Sequence, residues 1–317
     1  MSRTWALIAV LCSLAGTALL VRPYLGDAPI PVDRVMVASG AIDVPRAQAP
    51  GQKPLRFAIG AMISPRATFI QYARLAHMLS QELGRPVELV QRASYGETNR
   101  LVEAGEVDIA FVCSGAYVEL ARTSRVALLV APVTDGRPSY WGEVIVPSGS
   151  PLRRLEDVRG TQGLRIAYTD RLSNTGCAAP RAMLRRVGVD PERHMARPLW
   201  TGSHDESVRA VAGGHVDLAG VDALILHAML RADASLAGKI RVIARSDDFG
   251  APPVVAAAHV SPAVRLSVAQ ALTGMGQTPQ GRDILAELGV ERFVPVSDDL
   301  YDGVRAVQPR HAPAGGP

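Results

Sequence analysis

From Leu55 onward, short apolar runs alternate with longer stretches in which apolar residues return every three or four positions. Leu55–Ile59 has the length and composition of a buried strand, and it runs into Gly60-Ala61-Met62-Ile63-Ser64-Pro65. Tyr72, Leu75, Ala76 and Leu79 then share one helical face, with Gly84 as the stop. Val87–Val90 predicts a second strand, about Tyr95–Ala104 a helix closed by Gly105, and Val107–Cys113 a third strand that is apolar almost throughout. Strands of this kind separated by helices predict a parallel sheet covered on both faces.

The pattern then restarts. Glu143–Val146 predicts a β segment that ends at Pro147-Ser148-Gly149-Ser150-Pro151. Strand Arg165–Tyr168 follows, then a loop, a helix through Met183 and Leu184 that stops at Gly188, a helix over about Asp205–Ala212, and strand Val216–Val221. Each half carries the same junction: Ala104-Gly105-Glu106-Val107-Asp108 in the first, Gly213-Gly214-His215-Val216-Asp217 in the second. A unit this long that occurs twice is no solenoid repeat. It predicts two similar α/β lobes. Ile240–Ala244 and Val254–Val260 would carry the chain back to the first lobe, with a final helix at about Gly281–Leu288. The expected division is 54–144 with 247–304 for lobe 1, 145–246 for lobe 2, and a disordered tail over 305–317. Lobes joined by β-like crossings place a ligand between them, near the carboxyl ends of the strands, and enclose it by a hinge motion.

Arg3 precedes an apolar run from Trp5 to Val21, followed by Arg22 and Pro23. That is the pattern of a secretory signal. No Ala-x-Ala site follows the run and Val10-Leu11-Cys12 is a poor lipobox, so residues 1–25 read as a signal peptide or a membrane anchor. Residues 26–53, rich in Pro and Ala, read as a flexible linker. Export to the periplasm follows, with cleavage or retention as an anchor both open.

The 317 residues, 48% hydrophobic and 20% charged, suit about two soluble domains. A net charge of +4 without a basic stripe, and 5% aromatics, argue against a nucleic-acid partner and are compatible with an anionic ligand. Of the three cysteines, Cys113 and Cys177 read as small buried thiols. No Cys or His spacing suggests a metal, and no nucleophile elbow or dinucleotide glycine pattern suggests an enzyme or a cofactor.

The chemistry-bearing segment is Asp170-Arg171-Leu172-Ser173-Asn174-Thr175-Gly176-Cys177, between a strand and a helix. Two hydroxyls, an amide and backbone N–H groups at a helix N-terminus suit a tetrahedral oxyanion. The same residues are also good plain helix caps.

The segment resembles the Asp-Pro-x-Ser-Thr-Ser-Gly signature of the periplasmic phosphate/phosphite/phosphonate-binding proteins that serve ABC importers. Pro180, Thr201-Gly202-Ser203-His204-Asp205, Val211 through Ala219, Ser94-Tyr95, Val107-Asp108-Ile109-Ala110 and Asp135-Gly136 with Tyr140 match further family segments in order. The resemblance spans about Leu55 to Val304. It implies a type 2 periplasmic-binding fold, two α/β lobes with a hinge and an interlobe ligand cleft. It also implies a non-enzymatic, monomeric binding protein that delivers a phosphonate, phosphite or related phosphorus oxyanion to an ABC permease in the inner membrane. An anchored sensory or accessory module for a small anion is the alternative. By the resemblance, Ser173, Asn174, Thr175 and Gly176 hold the phosphoryl oxygens and Tyr95 and Tyr140 reach the ligand from the first lobe. Asp205 reads its proton or substituent, and His204 orients Asp205; apart from the resemblance, Ser64 in the first βα loop is a further candidate donor. Asn174 departs from the family's threonine and Arg171 from its proline. Cys113-Ser114-Gly115 stands where a Gly-Pro pair is usual, and Trp141 stands where a small hydroxyl residue is usual.

Overall fold

The computed structural model describes residues 53–308, without the side chains of 65–71. The expected signal or anchor and linker lie outside the described residues. Among the described residues, no helix is long and apolar enough to cross a membrane.

The chain first lays down β1 (Leu55–Ile59), α1 (Pro65–Glu82), β2 (Val87–Gln91), α2 (Tyr95–Glu103), β3 (Ile109–Phe111), α3 (Ser114–Thr123) and β4 (Ala127–Val133). It then builds β5 (Ser139–Pro147), β6 (Ile166–Tyr168), α4 (Ala179–Arg186), α5 (Pro191–His194), β7 (Leu199–Trp200), α6 (His204–Ala212), β8 (Leu218–Asp222), α7 (Ala223–Ala232) and β9 (Ile240–Gly250). It returns with β10 (Val254–Ala256), α8 (Pro262–Thr273), α9 (Pro279–Leu288), β11 (Arg292–Val294) and α10 (Asp302–Val307). Two sheets result, one ordered β11-β4-β10-β3-β1-β2 and the other β7-β6-β8-β5-β9. In the first, β1 pairs in parallel with β2 and β3, and β10 enters antiparallel. In the second, β6 pairs in parallel with β7 and β8, and β5 enters antiparallel. These are two α/β lobes of one design.

The duplicated junction has a physical basis. Asp108, just before β3, accepts the backbone N–H of Arg56 on β1 at 2.7 Å, while Arg56 Nη2 donates to Gly105 O. Asp217, just before β8, accepts the N–H of Arg165 at 2.7 Å, and Arg165 Nη2 donates to Gly214 O. In both lobes the carboxylate satisfies a strand-end donor left without a ladder partner. Gly105 and Gly214 both have φ of 69°, the left-handed conformation that ends the preceding helix.

Alternation along β5 orients the site. Val144 and Val146 join a core cluster with Ile166, Tyr168 and Leu184, whereas Ile145 packs with Val208, Val221 and Leu226 on the other face. Tyr140 and Gly142 share parity with Val144, so they face the loop that leads into α4. A slip of one residue would turn both away, which the two buried faces forbid.

Several boundaries differ from those expected. Val107–Cys113 is buried except at Asp108, but only Ile109–Phe111 joins the ladder, because Val112 N–H turns to Pro253 O. β5 starts at Ser139, since Ser139–Trp141 pair with Asp248–Gly250. The crossings between sheets therefore lie at 134–138 and 251–253, not at 144/145 and 246/247. At the first, Asp135 (φ 50°) and Gly136 (φ 75°) make a tight left-handed turn closed by Thr134 and Arg137, the conformation an Asp-Gly pair favours. Ala251 N–H donates to Pro138 O at 3.0 Å and ties the two crossings together. The tail expected to be disordered from 305 is helical to Val307: Arg305 pairs with Asp298 and Asp302, and Gln308 Nε2 reaches Gly115 O.

Candidate functional site

After β6 the chain turns at Asp170, whose Oδ1 accepts the Leu172 N–H at 2.8 Å. Ser173 Oγ accepts the Gly176 N–H at 3.0 Å and so caps a wide turn over Asn174–Ala178. In that turn Ala178 N–H reaches back five residues to Ser173 O, and the turn continues into α4. The close approach of the Thr169 and Ser173 side chains explains Gly176, where a Cβ would fall 2.3 Å from Thr169 Oγ1 and 2.8 Å from Ser173 Oγ. Ser173, Asn174 and Thr175 are each 0% exposed. A helix start carries N–H donors and a positive dipole end, so this loop presents fixed positive potential inside the protein.

Tyr140 and Tyr95 join it from different elements. Tyr140 lies on β5, hence in the second sheet rather than the first lobe. Asn174 Nδ2 donates to Tyr140 Oη at 3.3 Å, and Tyr140 Oη sits 2.6 Å from Ser114 Oγ on α3. Tyr95 opens α2, whose start is held by a capping box in which Ser94 Oγ accepts the Glu97 N–H and Glu97 accepts the Ser94 N–H. Burial, with the nearby Cys113 thiol second, pushes both phenols well above their ordinary value, so both remain protonated. Three buried side-chain atoms of this cluster have no hydrogen-bond partner: Tyr95 Oη, Asn174 Oδ1 and Thr175 Oγ1. Buried polar atoms are nearly always paired in folded proteins, so three in one cluster make it the candidate site for a polar ligand.

His204 and Asp222 complete it. His204 Nδ1 accepts the Asp222 N–H at 3.1 Å, which puts the ring proton on Nε2, and Thr169 Oγ1 lies 3.3 Å from the same nitrogen. Burial drives the imidazole down to about 3, against the pull of Asp205, so His204 is a neutral donor. Asp222 caps α7, its Oδ1 accepting the N–H groups of Leu224 and Ile225. It pairs in register with Gly142, whose bare Cα packs on the Thr175 side chain. Burial lifts its carboxyl to about 7, the cap hydrogen bonds oppose the rise, and Glu143 adds to it.

Asp205 has other partners. Its Oδ1 accepts the Ser64 N–H at the start of α1 at 3.0 Å, and Arg209 Nη1 donates to Oδ2 at 2.8 Å. Burial alone would raise this carboxyl, but hydrogen bonds from Arg209 and Ser64 and the nearby Ser203 hydroxyl hold it below its usual value. Asp170 does the same at α2, its Oδ2 accepting the Tyr95 N–H at 3.1 Å. A carboxylate of the second lobe thus sits at the N-terminus of each of two first-lobe helices, where the dipole favours it. His204 N–H also donates to Met62 O, and Gly115 of α3 abuts the carbonyl of Leu172.

All nine residues singled out from the sequence lie in this neighbourhood, with distinct partners. Asp222, Ser114 and Gly142 were not anticipated. A carboxylate closing an apolar strand, as Asp222 does, was the available signal. Arg171 stays at the surface with its guanidinium 4.8 Å from the Trp200 ring centroid, and Trp141 stacks under Arg245 rather than entering the cluster. Cys113 and Cys177 are buried free thiols. Among the described residues, no group of three or more His, Cys, Asp or Glu is placed to hold a metal.

Residues 57–301 match the family described as the periplasmic substrate-binding protein of phosphonate ABC transporters. A phosphate-import protein, PhnD, of Mycolicibacterium smegmatis is 26% identical over 255 residues, which cover 74% of this chain and 79% of that protein. The binding-protein component of a Pseudomonas aeruginosa ABC phosphonate transporter superposes with a TM-score of 0.76 at 22% identity, covering 81% of this chain and 86% of its own. PhnD1 of Prochlorococcus marinus, solved with methylphosphonate, superposes with a TM-score of 0.74 at 13% identity, over 80% of this chain and 97% of its own.

Proposed function

Because the chain belongs to the periplasmic phosphonate-binding family of ABC transporters, we propose that it captures a small phosphorus oxyanion between its lobes and delivers it to an inner-membrane permease. The observation that carries this reading is the trio of unpartnered buried atoms, Tyr95 Oη, Asn174 Oδ1 and Thr175 Oγ1, around a helix start. Thr175 Oγ–H, Tyr95 Oη–H, His204 Nε2–H and the Thr175 N–H at the start of the turn supply neutral donors for oxygens. Such donors bind an anion without a counter-charge when they are fixed in place and shielded from water. Asp170 and Asp205 act as clasps that hold the lobes together over the ligand rather than as readers of it. Ser173 Oγ serves the Gly176 N–H and His204 Nδ1 serves Asp222, an arrangement that supports binding without turnover.

A thermal-shift panel of methylphosphonate, phosphite, phosphate and 2-aminoethylphosphonate tests the reading. A ligand at 100 times its Kd stabilises by about 2.7 kcal/mol, a rise of several degrees for a chain of this size. If none of the four raises the Tm at saturating concentration, the ligand class is wrong.

A further inference from the structure

This inference rests on the oxyanion reading and concerns the ligand's proton. Asn174 has a nitrogen that only donates and an oxygen that only accepts. The nitrogen donates to Tyr140 Oη, so the phenol's own proton lies toward Ser114 Oγ, 2.6 Å away. That leaves Asn174 Oδ1 buried and without a partner, in a residue that is 0% exposed. An acceptor in that position has nothing to offer a bare oxyanion, whose oxygens also only accept.

The surroundings sharpen the point. The groups that bear on Asp222 and the two phenols are Tyr72 from α1, Tyr95 from α2, Cys113 before α3, Tyr140 and Glu143 from β5, and Asp170 after β6. His204 from α6 contacts Asp222 and is neutral. Among the described side chains, no arginine or lysine is one of them. A doubly charged ligand would therefore meet acidic neighbours with no cation among the described side chains to offset them.

We propose that the site selects a singly protonated oxyanion, one that keeps a P–OH group and donates its proton to Asn174 Oδ1. The unprotonated oxygens take the donors of Thr175, Tyr95 and the turn. The family's threonine at this position can donate as well as accept, whereas Asn174 Oδ1 only accepts, so Asn174 changes what the site asks of its ligand.

Calorimetric titration of the full chain with methylphosphonate and with methanesulfonate tests this. At pH about 5.5, below the second ionisation of an alkylphosphonate, which lies above the value near 6 of a phosphate ester, both are monoanions of nearly one shape, and only the first has the hydroxyl. A site built to bond a hydroxyl rejects the analogue without it by roughly 10⁴-fold, so at least about 100-fold preference for methylphosphonate is expected. Asn174→Thr, which exchanges the acceptor for a hydroxyl able to donate, is expected to lower that preference about tenfold or more. Equal binding of the two ligands by the wild type, or an unchanged preference in a folded Asn174→Thr, overturns the proposal. Should that variant not fold, the wild-type pH series decides. Above the second ionisation, methylphosphonate affinity must fall by up to about tenfold per pH unit, because the complex retains the one proton the free ligand has lost. Affinity that stays level or rises overturns it. Binding of neither ligand at any pH would instead remove the phosphorus-oxyanion reading, and this inference with it.

Discussion

Replacing Asp222 by asparagine should stabilise the ligand-free protein at neutral and alkaline pH. The side chain is buried, its carboxyl rises from 3.8 to about 7 chiefly through loss of water, and Glu143 adds like charge. In the unfolded chain it ionises at its ordinary value. Between about 4 and 7 the folded protein therefore holds a proton that the unfolded chain has released, and stability falls as pH rises, by about 1.4 kcal/mol per pH unit. Above 7 both states are ionised and the loss levels off. Over the whole interval it reaches roughly 4 kcal/mol. Asparagine has nearly the same shape and is an equally good cap, so the bonds from the Leu224 and Ile225 N–H groups survive in the variant. Subtracting wild-type from variant stability cancels every other titration. Urea unfolding of both proteins at pH 5, 6, 7 and 8 would read the difference. The advantage of Asp222→Asn should grow through that window and flatten above 7 at roughly 4 kcal/mol. A variant no more stable than wild type at pH 8, or an advantage that does not depend on pH, would refute the argument. A cost of this size is a common signature of a residue kept for binding rather than for folding.

Other substitutions separate the roles assigned above. Gly115→Ala lies in α3, where alanine is favoured by roughly 0.5–1 kcal/mol, so the fold should persist. Its Cβ would fall 2.3 Å from Leu172 O across the lobe interface, so ligand-induced thermal stabilisation should vanish, and a full shift would show that this contact is dispensable. Asp205→Asn should weaken methylphosphonate, phosphite and phosphate by a similar factor, because it loosens the bonds to Ser64 and Arg209. A change in ligand preference, measured by calorimetry, would return Asp205 to the role of reader.

The lobes were legible because their signals are local. The junctions that end in Asp108 and Asp217 repeat at short range, and the Ser173–Gly176 loop lies between a clear strand and a clear helix. Asp222 was not legible in this way. It follows the apolar run Val216–Val221 and reads as an ordinary cap. Its burial comes from Tyr72, Cys113 and Tyr140, which arrive from 80 or more residues upstream. Asp205 shows the converse, since its neighbour His204 sits in the cluster, while its own carboxylate accepts the Ser64 N–H at the start of α1. The third strand was read too long because apolar content reports burial, and Val107 and Cys113 are buried without joining the ladder. Helix α3 opens with Ser-Gly, a weak start whose stability comes from packing Ala116, Tyr117 and Leu120 into the core.

The most direct measurement is calorimetric titration of methylphosphonate into the full chain and into Thr175→Val. Valine keeps the shape against Gly142 and removes only the unpartnered buried hydroxyl. The account predicts one site per chain, binding weakened about tenfold or more in the variant, and a ligand-free variant up to about 1 kcal/mol more stable than wild type. Wild-type and Thr175→Val proteins that bind methylphosphonate equally well would contradict it.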